Sequence, residues 1–221
     1  EEYADIVRVF TVAPEEKGNM EAIRRIAAET NMLISIGHSD ATYEQAVDSI
    51  EAGVRHATHL FNAMTALTHR KPGVVGAVLN DARVSTELIC DTYHVNPALY
   101  EMVHALKGDK LVMITDCLRA GGLEDGEYSL GGQAVTVRGN LATLHDGTIA
   151  GSATNLMDCV RSAVRMGIPL GQAVQAASTN PARALGIEHD YGSLEAGKLA
   201  NVVLLDDELN IHTILLRGRM L

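Results

Sequence analysis

Short apolar runs alternate with amphipathic stretches along most of this chain, and that rhythm limits its folds more than any other feature. Ile6–Val12 (IVRVFTV) reads as a strand. Asn19 then offers a helix N-cap ahead of Met20, Ile23 and Ile26 at helical spacing. Leu33–Gly37 (LISIG) reads as a buried strand, and Thr42 with Gln45 forms a capping-box pattern opening Tyr43–Ala52, which Gly53 stops. His56–Leu60 and Glu87–Cys90 are short strand candidates. Asn96-Pro97 should start a helix carrying Leu99, Met102, Val103 and Leu106 and ending at Gly108, and Leu111–Thr115 (LVMIT) is the next strand. A strand-rich excursion covers 128–144, helices resume near Asn155–Met166, Leu170–Ala177 and Asn180–Gly186, and the tail from Gly192 is strand-like. This order predicts an α/β fold, a parallel sheet or barrel with helices outside and a small β appendage.

Composition supports a packed core. Hydrophobic residues are 47% and charged residues 21%, which excludes a disordered chain. Aromatics are 4% with no Trp, so Ala, Val, Ile, Leu and Met must build the interior. The formal charge of -10 repels nucleic-acid backbones, and no apolar run approaches the roughly 20 residues that span a bilayer. Neither nucleic acid nor membrane is therefore expected as a partner. Cys90, Cys117 and Cys159 have no close pairing, which argues against a disulfide framework or zinc knuckle and fits a reducing, cytoplasmic setting. The opening Glu1-Glu2-Tyr3 is acidic, unlike a signal peptide, and lacks an initiator Met, as expected of a processed, trimmed or partly observed product.

The polar residues of interest fall just after strands: His38, His59, Asp91 with His94, and Asp116. In a barrel of parallel strands that is the rim on which active sites are built. His38 and His59 could converge on a metal, although a hydrogen-bonded structural histidine explains either one alone equally well. His56, three residues before His59, should face the other way on a strand. Asp116 suits proton transfer to a leaving group, or a plain turn. His94 could polarise a carbonyl, or cap the next helix. Asn62, Ala63 and His69-Arg70-Lys71 form a polar, basic stretch, for which a solvated loop is the simpler explanation from the residues alone. Ile149, Ala150 and Gly151 precede Ser152 and a helix, where backbone N–H groups could meet an anion or hydroxyl, or where Ser152 or Thr154 simply caps. The sequence holds no Gly-rich phosphate loop, no G-x-S-x-G elbow and no flanked Cys nucleophile.

Together GHSDAT (37–42), THLFNAM (58–64), CDTYHV (90–95), ITD (114–116), IAGS (149–152) and GSLEAGKLANVVLLD (192–206) resemble the N-acetylglucosamine-6-phosphate deacetylases, a branch of the metal-dependent amidohydrolases. The resemblance runs through nearly the whole chain; THLFNAM and the tail are its specific parts, whereas ITD alone is weak. It implies a (β/α)8 TIM-type barrel with a small β-sandwich made from both chain ends, and hydrolysis of the acetamide of N-acetylglucosamine 6-phosphate. It implies a divalent metal, zinc first, with iron, cobalt or nickel as alternatives, held by His38 and His59. It further implies catalysis by Asp116, carbonyl contact by His94, and substrate contact by Asn62, Ala63, Ile149, Ala150 and Gly151. Arg70 is implied to bind phosphate across a homodimer interface, in the neighbouring site. By this reading residues 1–190 are a partial barrel with a β insertion near 128–144, and 191–221 are the C-terminal β segment of the sandwich.

The chain departs from the pattern in places. The family's His-x-Glu-Gly-Pro segment, whose Glu ligates metal, and its following Gly-Thr-His-like segment are absent from these residues. Glu15, in VAPEE, matches a different position and is not its substitute. Thr92 stands where Gly is usual, and CLRAGG follows Asp116 in place of a run of small residues. A barrel of this type takes about 250 residues and a catalytic zinc usually three protein ligands; this chain offers two ligands and roughly two-thirds of a barrel. It is therefore expected to be part of a longer protein; if complete as written, it should bind metal weakly and turn over poorly. The rival readings are an amidohydrolase of another amide, a non-catalytic sugar-phosphate-binding homologue, and a phosphosugar isomerase.

Overall fold

The computed structural model describes residues 3 and 6–221. Glu1 and Glu2 of the acidic opening lie outside them. Five parallel strands alternate with helices: β1 (Val9–Val12), α1 (Asn19–Glu29), β2 (Leu33–Ile36), α2 (Tyr43–Ala52), β3 (His56–Ala57), α3 (Gly73–Asn80), β4 (Ser85–Ile89), α4 (Tyr100–Lys107) and β5 (Leu111–Ile114). The sheet order is β1-β2-β3-β4-β5, every neighbouring pair parallel, as β/α units produce when each helix returns the chain over the same face. A four-stranded antiparallel meander follows, of β6 (Gly126–Leu130), β7 (Gln133–Arg138), β8 (Leu141–Leu144) and β9 (Ile149–Ser152). Then come α5 (Leu156–Arg165), α6 (Leu170–Ala177) and α7 (Thr179–Ala184), and an antiparallel sheet of β10 (Val202–Leu205), β11 (Ile211–Leu216) and β12 (Arg219–Met220).

The predicted barrel is thus present as five consecutive strands, and β1 and β5 do not meet. Ile34, Ile36, Leu88 and Leu111 of the strands pack with Ile23, Ile50, Val74, Tyr100 and Ile168 in one fully buried core. The antiparallel meander has its own small core of Ala120, Val135, Val137 and Ala142. The terminal sheet leaves Val203, Leu204, Ile211 and Leu216 exposed. No helix among the described residues is long and apolar enough to cross a membrane.

Local signals work where they have a chemical partner. The Thr42 hydroxyl accepts from the Gln45 N–H, the Gln45 side chain accepts from the Thr42 N–H, and Gly53 ends α2. Asn19, by contrast, is not a cap. Gly18, with φ 87, takes that place, and the Asn19 amide donates to the Ala13 carbonyl at 2.8 Å. The predicted strand His56–Leu60 keeps only two residues, and the helix after Pro97 opens with a 3-10 turn at Pro97–Leu99. Of its expected apolar stripe only Val103 is fully buried: α4 turns Tyr100, Val103 and Lys107 inward and leaves Met102 and Leu106 exposed. The strand-rich excursion runs from Gly126 to Ser152, wider than 128–144, so Ile149, Ala150 and Gly151 belong to its last strand, β9.

Helix α3 (GVVGAVLN) was not legible. Seven of its eight residues are buried, so it has no polar face to reveal a helical period. Gly76 allows its tight entry, since a Cβ there would meet Pro72 Cβ at 2.4 Å. Its C-terminal end is capped from outside the helix. Lys107 lies along the core and its ammonium donates to the carbonyls of Val78 (2.9 Å) and Asp81 (2.8 Å). Lys107→Met keeps the stem and removes both donors. It should destabilise the fold by about 1–3 kcal/mol, read as a lower urea midpoint at unchanged m.

Candidate active site

Each functional side chain sits where a parallel strand releases the chain. His38 follows β2 and Gly37, His59 follows β3, Asp91 follows β4 and Asp116 follows β5. Because the strands are parallel and consecutive, these positions share one rim. Backbone strain gathers there too. Among the described residues, six of the eight non-glycine residues with positive φ are His38, His59, Phe61, Ala63, Thr92 and Asp116. Residues held in this unfavourable region cluster at functional sites, so the strain marks the rim independently of residue type.

The rim carries two pairs. In the first, His38 Nε2 and His59 Nε2 are 2.8 Å apart, with ring centroids at 4.6 Å and planes inclined by 75°. His38 is exposed at the mouth and His59 is buried. In the second, His94 Nε2 lies 3.9 Å from Asp116 Oδ2. The other face of that ring is fixed: His94 Nδ1 is 2.6 Å from Asp91 Oδ2, while Asp91 Oδ1 accepts the N–H groups of Tyr93 and His94 at 2.9 Å each. The Thr92 N–H donates to the Tyr100 hydroxyl at 2.9 Å, which anchors this loop to the core. Burial pushes the Asp91 carboxyl up, but the bonds from the His94 ring and the two N–H groups outweigh it and hold it below the usual carboxylate range. Asp91 is therefore ionised and keeps the His94 proton on Nδ1.

Two nitrogens converging from adjacent strands fit a borderline divalent cation of the zinc type. Neutral imidazoles with both Nε2 lone pairs facing inward repel unless a cation or proton lies between them. His59 Nδ1 is buried without a hydrogen-bond partner. Among the described residues no group of three His, Cys, Asp or Glu could hold a metal ion, so the described residues bring two donors together here and not a third.

Other predicted contacts are placed less simply. Asn62 Nδ2 donates to the carbonyls of His59 and Leu60 at 3.2 Å each, holding its own turn, and the Ala63 carbonyl accepts from the Ser39 N–H at 3.1 Å. His38, Asp40, Ala63 and Met64 line an open cleft of about 370 Å³. In β9 the Ser152 N–H is spent on the Asp116 carbonyl at 2.9 Å and cannot serve an anion. Gly151, with φ 141, lies so close that a Cβ would stand 3.1 Å from that same carbonyl. Strand β9 therefore buttresses the Asp116 turn. His69, Arg70 and Lys71 are exposed on a turn closed by Thr68.

Two further carboxylates hold the rim: Glu15, which the sequence analysis set aside as a metal ligand, and Glu87, which it did not single out. Glu15 accepts from the Asp40 N–H (2.6 Å) and the Ser39 hydroxyl (2.7 Å), pinning the loop after His38. Its position after β1 was the available signal. Glu87, in the middle of β4, accepts from the His59 N–H and faces His56 Nε2, each at 3.0 Å. Burial raises its carboxyl, but the bonds from the His56 ring and the His59 N–H prevail and lower it. No sequence signal marks Glu87.

The chain matches the amidohydrolase family over residues 7–221. An N-acetylgalactosamine-6-phosphate deacetylase from Escherichia coli O157:H7 is 39% identical over 215 residues, covering 97% of this chain and 57% of that protein. The crystal structure of N-acetylglucosamine-6-phosphate deacetylase from Pasteurella multocida superposes with a TM-score of 0.94 at 34% identity, over 99% of this chain and 57% of that one. A mutant of the Mycobacterium smegmatis deacetylase in complex with N-acetyl-D-glucosamine-6-phosphate gives 0.91 at 38% identity, over 97% of this chain and 57% of that one. The chain thus spans a little over half the length of these relatives. The fold is an incomplete TIM-type barrel of the amidohydrolase kind with added antiparallel sheets.

The depressed Asp91 carboxyl links stability to pH. A carboxylate whose folded pKa lies below its unfolded value near ~3.9 stabilises fully above that value and stops doing so as the pH falls through the folded one. Asp91→Asn should cost on the order of 1–3 kcal/mol at neutral pH. The gap to wild type should close on acidification below about pH 4, as followed by urea unfolding at a series of pH values.

Proposed function

The chain belongs to the amidohydrolase family, and from that membership we propose that the protein carrying it hydrolyses the acetamide of N-acetylglucosamine 6-phosphate to glucosamine 6-phosphate and acetate. The observation that carries the reading is the meeting of His38 and His59 Nε2 at 2.8 Å on a rim that also holds the His94–Asp116 pair. A named relative at 39% identity favours the galactosamine epimer as the second substrate reading. Residues 1–190 form the barrel part and 191–221 the C-terminal β segment of a small sandwich.

His38 and His59 would hold the divalent cation, zinc first, with iron, cobalt and nickel as alternatives. Bound there, such an ion supplies Lewis acidity and a water of lowered pKa. The chain's own groups move the protons. As water adds to the acetyl carbon, the Asp116 carboxylate, half-exposed at the mouth, takes its proton. His94, its ring oriented by the bond between Nδ1 and Asp91, presents Nε2 to the substrate carbonyl oxygen beside Asp116. Asp116 then hands its proton to the sugar nitrogen as the C–N bond breaks, releasing the amine and acetate.

Asn62, Ala63, Ile149, Ala150 and Gly151 line the substrate side in this reading. Arg70 binds the phosphate of a neighbouring subunit's substrate in a homodimer. Its exposure on the single chain supports that assignment. Three free cysteines support a reducing, cytoplasmic setting.

Acetate release tests the reading. N-acetylglucosamine 6-phosphate should be cleaved well and the unphosphorylated sugar poorly; equal rates on both sink it, and the 6-phosphate epimer decides the second substrate. Asp116→Asn should lower kcat about 10²–10⁴-fold with sugar-phosphate binding retained by calorimetry. Turnover at the wild-type rate removes Asp116 from the mechanism.

A further inference from the structure

Strand β3 is only two residues long, yet the segment after it must hold a histidine in a strained conformation. Thr58 still donates to the Ile36 carbonyl at 2.9 Å, but at His59 the ladder stops. One residue of β4 replaces it. The Glu87 carboxylate takes the His59 N–H at 3.0 Å, and the Glu87 main-chain carbonyl takes the Leu60 N–H at 2.9 Å. Held in this way, His59 adopts φ 31 and its ring meets His38.

The Glu87 side chain is itself aimed. His56 Nε2 lies 3.0 Å from the second carboxylate oxygen. The two side chains are 4% and 18% exposed, so the contact is shielded from water. His56 Nδ1 is buried with no partner, a cost that an apolar side chain in this place would avoid. The orphan also identifies the tautomer: the His56 proton is on Nε2, where an acceptor exists, and not on Nδ1, where none does.

We propose that His56 and Glu87 are a positioning pair for His59: His56 orients the Glu87 carboxylate, and Glu87 holds the His59 backbone so that the ring faces His38. This rests on His38 and His59 being the cation ligands. The pair touches neither substrate nor cation. Groups in such a supporting position typically change metal affinity ~10–100-fold when removed.

The experiment uses the metal-loaded protein. Zinc affinity is measured by competition with a fluorescent chelator, and histidine tautomers by long-range ¹H–¹⁵N correlation spectra. Wild-type His56 should show its proton on Nε2; a proton on Nδ1 overturns the proposal whether or not any variant folds. Glu87→Ala should weaken zinc binding ~10–100-fold. A folded Glu87→Ala protein with wild-type affinity overturns the proposal. Glu87→Gln still accepts from the His59 N–H but turns an amide N–H toward His56. Its zinc affinity should stay within about threefold of wild type, against the ~10–100-fold loss in Glu87→Ala, and the His56 proton should move to Nδ1. A loss in Glu87→Gln as large as in Glu87→Ala counts against positioning. Wild-type protein that binds no zinc removes the metal-site reading itself, while the spectra still report separately on the His56–Glu87 contact.

Discussion

The site depends on parallel pairing between strands that are also neighbours in sequence. Parallel register gives every strand the same direction, so whatever follows each one lands on a single rim. His38 and His59 leave β2 and β3, which pair through only Ser35 with His56 and Ile36 with Ala57. The two rings can touch because both chains turn out of the ladder within a few residues of that short pairing. A longer β3 would carry His59 onward in extended geometry, pointing along the pleat instead of across the mouth.

Three carboxylates perform the same mechanical task around this rim. Glu15 accepts the Asp40 N–H, Glu87 the His59 N–H, and Asp91 the N–H groups of Tyr93 and His94. Each supplies an acceptor to a loop N–H that has left the sheet ladder. Each also stands behind a residue assigned to the chemistry. The strained turns at His38, His59 and Thr92 persist because these acceptors and the Tyr100 hydroxyl over-determine them.

Much of this was legible in the sequence because strand ends are. Apolar runs followed by His or Asp placed the rim, and the Thr42–Gln45 capping box was readable because both partners sit within one helical turn. What failed had physical reasons. Helix α3 is apolar on every side and shows no period. On α4 the burial of Lys107 shifts the inward face away from Met102 and Leu106, since a lysine capping a neighbouring helix looks like a surface residue in sequence. Glu87 reads as an exposed strand residue until His56 and His59, 31 and 28 positions earlier, are brought against it. Strand β9 looks like a helix approach until Ser152 is seen to bond the Asp116 turn across 36 residues.

Charge sets the final condition on the proposed chemistry. The sequence has a formal charge of -10, and Glu15, Glu87, Asp91 and Asp116 add negative charge at or just behind the mouth. Such a field draws in a divalent cation and repels a sugar phosphate. The same rim cannot therefore bind both unaided: the phosphate needs a cationic group brought from elsewhere. On this chain His69-Arg70-Lys71 is a basic run whose three residues are all exposed. An arginine at the end of an exposed turn can pair a phosphate bidentately without being neutralised by the chain's own carboxylates.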